Sequence, residues 1–252
     1  MTAANDLVKG RVLLEVCVDT PAGLAAAIAG GADRIELCAA LTLQGLTPAP
    51  GLMALAAASP IPVYPMIRPR NGDFCYDTRD LDAMKRDIDA VRAYGLEGVS
   101  IGASRPDGEL DLEVLAALVE HAQGLGLTLH RAFDLVADQS AALEAAIEMG
   151  FERVLTSGGA ISAVVGAERI AALMTQAGGR ISILAGAGVR VSNIAELVRT
   201  TGVREVHGSF GAAKPGADPA SKLGAMGFVP PTLQDTDQAT VAEVVRILRG
   251  LS

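Results

Sequence analysis

Leu13-Leu14-Glu15-Val16-Cys17 is an apolar run broken by one acid, and Arg34-Ile35-Glu36-Leu37-Cys38 repeats its ending. Between them, residues 20–31 are rich in alanine and patterned as a helix. Thr20 is a natural cap and Pro21 suits the first helical position. The stretch therefore reads strand, helix, strand. Both strands end in Glu-X-Cys. Side chains alternate along a strand, so the glutamate and cysteine of each share a face. A right-handed crossover between parallel strands opens both ends at one edge of the sheet. Glu15, Cys17, Glu36 and Cys38 are expected to meet there.

The same alternation continues outward. Further strands are expected at 62–68, 98–102, 127–131, 153–156, 181–185 and 205–207, each followed by a polar or glycine-bearing loop and a helical stretch. Ser192 is expected to cap the seventh helix. Eight strand–helix alternations without a boundary predict a single-domain α/β fold, the (β/α)8 TIM barrel. The barrel core is expected over 10–210, an irregular loop over 211–236 and a closing helix over 237–252. A doubly wound open sheet would show Gly-X-Gly-X-X-Gly after its first strand. Here that turn reads Cys17-Val18-Asp19-Thr20.

At 252 residues and 50% hydrophobic content the chain can bury a large core. With 3% aromatics and no tryptophan, a barrel lined by Val, Ile, Leu and Ala is expected. The formal charge of −8 carries no basic run, which argues against nucleic acid and against anionic membranes as partners. No apolar stretch reaches the roughly 20 residues needed to span a bilayer. Three cysteines are too few for a disulfide framework, and no secretory leader is evident, so a cytoplasmic location is expected.

Barrel enzymes place chemistry at the C-terminal strand ends. Collecting those ends gives the candidate catalytic set Glu15, Glu36, Arg68, His130, Asp134 and His207. Glu15, Glu36 and Arg68 sit inside apolar runs, where an unpaired charge is costly. Such a cluster either satisfies itself as ion pairs or handles a ligand. His130 and His207 end strands and suit proton transfer or metal binding, unless they are satisfied core residues. His121, late in a helix, reads as a helix-end cation. Arg131, Ser157, Gly158, Gly186, Gly208 and Ser209 form a candidate anion or cofactor site, because barrel loops bind phosphate through backbone N–H groups. Glycine is also what tight turns require.

Cys17 and Cys38 are either small core residues or ligands of a soft metal, Cu(I) or Zn(II), with Met66 as a neighbouring thioether. Cys75, in a loop, reads as incidental. The lysines are Lys9, Lys85, Lys214 and Lys222, none at a strand end, which weakens a Schiff-base reading. No nucleophile elbow or Walker loop is present.

Several motifs together carry a family resemblance. They are Leu14-Glu15-Val16-Cys17-Val18-Asp19, residues Gly31 to Cys38, Gly45-Leu46-Thr47-Pro48, Met66-Ile67-Arg68-Pro69-Arg70, His130-Arg131-Ala132-Phe133-Asp134, residues Val154 to Gly159, and His207-Gly208-Ser209. They resemble the CutC family, named for copper homeostasis. The resemblance implies a barrel, a cytoplasmic homo-oligomer (dimer or tetramer) and Cu(I) bound by Cys17 and Cys38. The chain departs at Gln44 and at Ala185-Gly186-Ala187-Gly188, where more glycine is expected. Beside the copper reading stands an enzyme acting on a small anionic metabolite. In it Glu15, Glu36 or His130 move protons while Arg68 and Arg131 hold a carboxylate or phosphate.

Overall fold

The computed structural model describes residues 11–251. Lys9, and Gly10 where the core is expected to begin, lie outside the described residues. Eight parallel strands carry the fold: β1 (Leu13–Val18), β2 (Arg34–Leu37), β3 (Val63–Pro65), β4 (Gly98–Ile101), β5 (Gly126–Leu129), β6 (Arg153–Thr156), β7 (Ser182–Ala185) and β8 (Glu205–Gly208). Their order is β3-β2-β1-β8-β7-β6-β5-β4. The two ends meet where Met66 bridges Ser100 and Ile67 N–H donates to Ser100 O at 2.9 Å. The barrel is thus nearly closed, as the alternation predicts.

Helices α1 (Pro21–Gly30), α2 (Pro50–Ala56), α3 (Thr78–Ala93), α4 (Leu112–His121), α5 (Gln139–Glu148), α6 (Ala167–Ala177) and α7 (Ile194–Thr201) alternate with the strands. Thr20 caps α1 as expected, its Oγ1 accepting from Gly23 N–H at 2.8 Å. Ser192 does not cap α7. Asn193 takes that position and folds back, accepting from Arg190 N–H at 2.8 Å and donating to Gly188 O at 2.9 Å.

Strand alternation sets the interior. In β1, Leu14, Val16 and Val18 are fully buried in the hydrophobic core. Glu15 points the other way and meets Arg34 and His207 from both neighbouring strands. The barrel interior is therefore ionic and polar at this level, not the aliphatic lining that composition suggests. Aliphatic residues fill the strand–helix layer instead, where each helix needs an apolar face. Tyr64 lies across the interior and its hydroxyl donates to Glu152 at 2.9 Å. Gly98 and Gly126 make room for it, since a Cβ at either position would collide with the ring.

Residues 211–236 are not an irregular loop. They form an antiparallel ribbon, β9 (Gly211–Pro215) with β10 (Thr232–Thr236), whose connection holds the short helix α8 (Lys222–Ala225). The ribbon is mostly exposed and built from small and polar residues, so it carries no period-two hydrophobic signal. The closing helix α9 (Gln238–Arg249) follows, capped by Asp237 and packed on α1 where Gly30 faces Val241. No helix among the described residues is long and apolar enough to cross a membrane.

Candidate functional site

The site rests on a buried ion network. Strand register sets Glu15 beside Arg34 and beside His207. Arg34 Nε donates to Glu15, Arg34 Nη2 donates to Glu205, and Arg153 Nε lies 3.5 Å from Glu205. The Arg34 and Arg153 guanidinium groups stand 5.7 and 4.6 Å from the Tyr64 ring centre. Burial alone would raise the Glu15 pKa, but Arg34 and the hydrogen bond from His207 hold it well below the usual carboxylate range. Glu15 is 2% exposed and does not line the mouth of the barrel. Glu15 is thus engaged as an ion pair with Arg34 and His207, the arrangement of a cluster that satisfies itself.

Above it, His207 Nδ1 lies 2.8 Å from Glu15 Oε1, while Nε2 lies 3.7 Å from Glu36 Oε2. Burial would lower the His207 pKa. Cys17 and Glu36 facing the ring, with the Glu15 bond, raise it well above the ordinary imidazole range. Burial, and then the Glu15 charge, raise the Glu36 pKa against the pull of His207, and Glu36 Oε1 has no hydrogen-bond partner. Cys17, Glu36 and His207 each place one ligand atom within 4.8 Å of the others. Cys38 Sγ lies 3.7 Å from Glu36 Oε2, and burial followed by the Glu36 charge pushes its thiol up. Glu-X-Cys thus does gather both carboxylates and both thiols, but only Cys17 and Glu36 reach the cavity wall.

That cavity, about 1220 Å³, opens at the C-terminal strand ends and is lined by Cys17, Glu36, Met66, Arg68, Phe74, His130, Arg131, Asp134, Arg190, His207, Gly208 and Ser209 among others. His130 Nδ1 accepts from Ala132 N–H at 3.1 Å, which leaves the proton of the neutral ring on Nε2. Burial and then Arg68 push its pKa down to about 3, so the ring is neutral, and Nε2 has no partner. Phe74 packs on the ring at 4.8 Å.

Arg68 is mostly engaged in structure. Its Nη1 donates to Leu43 O and Gly45 O, and its Nη2 donates to Gly72 O, tying together the loops after β2 and β3. Only Nε is left unpartnered.

The expected anion site after β6 is already filled by the protein itself. The Asp134 carboxylate accepts from Thr156 Oγ1 at 2.5 Å, Ser157 N–H at 3.0 Å, Ser157 Oγ at 2.9 Å and Gly159 N–H at 3.0 Å. Arg131 Nε pairs with Asp134 at 2.8 Å, and its Nη2 donates to Ser157 Oγ. Ser157 and Gly158 do not line the cavity, and Gly186 N–H is taken by Thr156 O at 3.0 Å. At all three positions, where a ligand is expected, the donors are satisfied internally, Gly158 N–H by Thr156 Oγ1 at 2.8 Å. Asp134 correspondingly serves as an internal counter-ion. His121 pairs with Asp89 at 2.9 Å near the end of α4, as a helix-end histidine should.

Sequence reasoning misses Arg153, Glu205, Tyr64 and Arg190. Arg153 and Glu205 each open a strand, the end opposite to where barrel chemistry is sought. Each follows another charged residue, Glu152 or Arg204, so both read as part of a solvated turn ahead of the strand. Arg190 offers no signal, because its place on the cavity wall depends on where its loop sits.

The fold and site define a single-domain (β/α)8 barrel whose mouth gathers a buried thiol, carboxyl and imidazole beside arginines. The chain belongs to the CutC family, whose model matches residues 12–212. It is 76% identical over 241 residues to the family protein CutC of Caulobacter vibrioides (strain NA1000 / CB15N), covering 96% of this chain and 98% of that one. A counterpart in Sinorhizobium medicae (strain WSM419) is 53% identical over 242 residues, covering 96% and 98%. Among solved structures, a CutC protein of Streptococcus agalactiae, named for a proposed copper-homeostasis role, is 30% identical at a TM-score of 0.75, covering 79% of this chain and 98% of that chain. Thiamine phosphate pyrophosphorylase of Pyrococcus furiosus shares the fold alone, at 16% identity, a TM-score of 0.57 and coverage of 95% and 96%.

Proposed function

We propose that the barrel binds a small anionic metabolite in its mouth and moves a proton on it. The observation that carries this reading is the set of buried polar atoms left without partners around one cavity: Glu36 Oε1, His130 Nε2 and Arg68 Nε. Buried donors and acceptors are normally satisfied, and a ligand bearing oxygens would satisfy these. Glu36 is the proton carrier, since burial favours its neutral acid form. His207, held by Glu15, presents a fixed positive charge to a developing oxyanion. His130 and Arg68 donate to the ligand and orient it. A metabolite screen by thermal shift tests the reading, comparing the wild type with Glu36→Gln and Arg68→Ala. Failure of every metabolite to raise the wild-type melting temperature removes it.

A second reading is metal binding, and one observation favours it: the convergence of Cys17, Glu36 and His207. The donor set fits a metal ion, with Glu15 fixing the imidazole from behind as an outer carboxylate commonly does. Copper homeostasis, in the name of the Streptococcus agalactiae relative, supports copper as the cargo. A mixed sulfur, oxygen and nitrogen set suits Zn(II) or Cu(II) better than Cu(I), which prefers sulfur. Cu(I) held by Cys17 and Cys38 would require Cys38 to lose its proton beside Glu36. Titration of reduced protein against a competing chelator separates the two metal arrangements.

Three free cysteines support a reducing, cytoplasmic location. Family membership supports a homo-oligomer, dimer or tetramer, which light scattering tests.

A further inference from the structure

We infer that the rim formed by the loops after β7 and β8 is a phosphate subsite, so that the ligand is a phosphate monoester. This rests on the metabolite reading above and deepens it.

The neighbouring loop shows what such a set of donors holds. After β6, two backbone N–H groups and two hydroxyls converge on the Asp134 carboxylate, with Arg131 paired to the same group. The next two loops repeat the donors without supplying an acid. Among the described residues, the N–H groups of Ala187, Gly188 and Ser209 donate to no protein acceptor. Arg190 is exposed, lines the cavity and pairs with no described carboxylate. All four residues stand on the cavity wall. The loop is also strained. Ala187 holds φ at +72° and Gly188 at +70°, so an alanine sits in a conformation that side-chain-bearing residues avoid. Such turns present successive N–H groups to an anion.

Across the same cavity, His130 is 2% exposed and its Nε2 is unpartnered. It is an independent sign that something with an acceptor atom belongs between the two walls. Several backbone donors, a hydroxyl and a guanidinium match the three terminal oxygens of a phosphate better than the two of a carboxylate. The cavity volume leaves room for an organic body reaching from the rim to Glu36 and His207.

The test is calorimetric titration of the full chain with inorganic phosphate at fixed ionic strength, with acetate as the competing arm. The wild type should bind phosphate saturably and acetate should not displace it. Arg190→Gln should weaken binding at least about tenfold, and Ser209→Asp should abolish it by like-charge repulsion. Both positions are exposed, so unchanged melting temperatures are expected in the absence of phosphate. Glu36→Gln should leave phosphate affinity within about twofold, because it acts at the other end of the ligand. Absence of saturable wild-type binding, indifference to both rim substitutions, or equal displacement by acetate overturns the subsite. The metabolite screen is scored separately. Phosphate bound through Arg190 with no metabolite response would leave this subsite standing and remove the proton-transfer reading.

Discussion

Glu15 and His207 face each other across strands β1 and β8, with Oε1 2.8 Å from Nδ1, and this contact fixes where Nε2 points. One carboxylate thereby serves two cations, since Arg34 donates to its other oxygen. Removing its charge should be felt throughout the interior. Glu15→Gln leaves Arg34 and His207 buried without their shared counter-ion, and a loss of about 3–5 kcal/mol is expected. Glu36→Gln should cost under about 1 kcal/mol, because burial already favours the neutral acid there. Urea denaturation of both variants checks this. Equal losses would mean that the two acids are not different in kind.

The pH dependence follows from the same groups. Glu15 has a lowered pKa when folded, so its stabilisation is present above about 4.5 and is lost as pH falls through the folded value. His130 also has a lowered pKa, from 6.5 to about 3, so the unfolded chain takes up its proton first as pH drops. Both effects erode stability on the acid side. His207 runs the other way. Its folded pKa is raised, so its contribution is complete below about 6.5 and is lost as pH rises through the folded value. A dome-shaped profile of urea midpoint against pH is expected. His130→Asn, whose side chain can still accept from Ala132 N–H, should flatten the acid limb between pH 6.5 and 3 by up to about 1.4 kcal/mol per pH unit. An unchanged acid limb would show that His130 protonates equally in both states.

That the two Glu-X-Cys endings share one edge of the barrel is legible because strand alternation and parallel crossover are local rules, although the register sets Glu15 beside Arg34 and Cys17 beside Glu36. Two repeats of Glu-X-Cys suffice to apply them. What those groups then do depends on partners far away in sequence. Whether Glu15 is free or engaged turns on Arg34, Glu205 and His207. By position Asp134 suits acid chemistry, yet the loop after β6 folds around it. Composition pointed to an aliphatic interior because it counts residues without saying which strand face each occupies. The exposed β9–β10 ribbon escaped for the opposite reason: its pairing needs no hydrophobic period.

Gly102 is a packing requirement of the site. A Cβ there would fall on the His130 ring, 2.5 Å from Nδ1. Gly102→Ala should destabilise by about 1–3 kcal/mol through overpacking and should move the ring. The partner substitution His130→Ala removes the obstacle. In a double-mutant cycle the two changes should cost less together than their sum, with a coupling of at least about 1 kcal/mol. Strict additivity would contradict the contact.

The metal readings differ in which cysteine matters. Cys17 lines the cavity with Glu36 and His207, whereas Cys38 is fully buried, off the cavity wall, and shares its thiol with Glu36. If the mixed donor set binds, Cys17→Ser or His207→Asn should each lower Zn(II) or Cu(II) affinity at least about tenfold, the scale of one lost ligand bond. Cys38→Ser should then change affinity by less than about threefold, because a serine hydroxyl can still donate to Glu36. A two-thiolate Cu(I) site gives the opposite pattern, with Cys17→Ser and Cys38→Ser equally damaging and His207→Asn nearly silent. Competition titrations of the three variants with each ion decide between them. An equal response of all three to every ion would mean that the substitutions act through the fold, which their melting temperatures would then reveal.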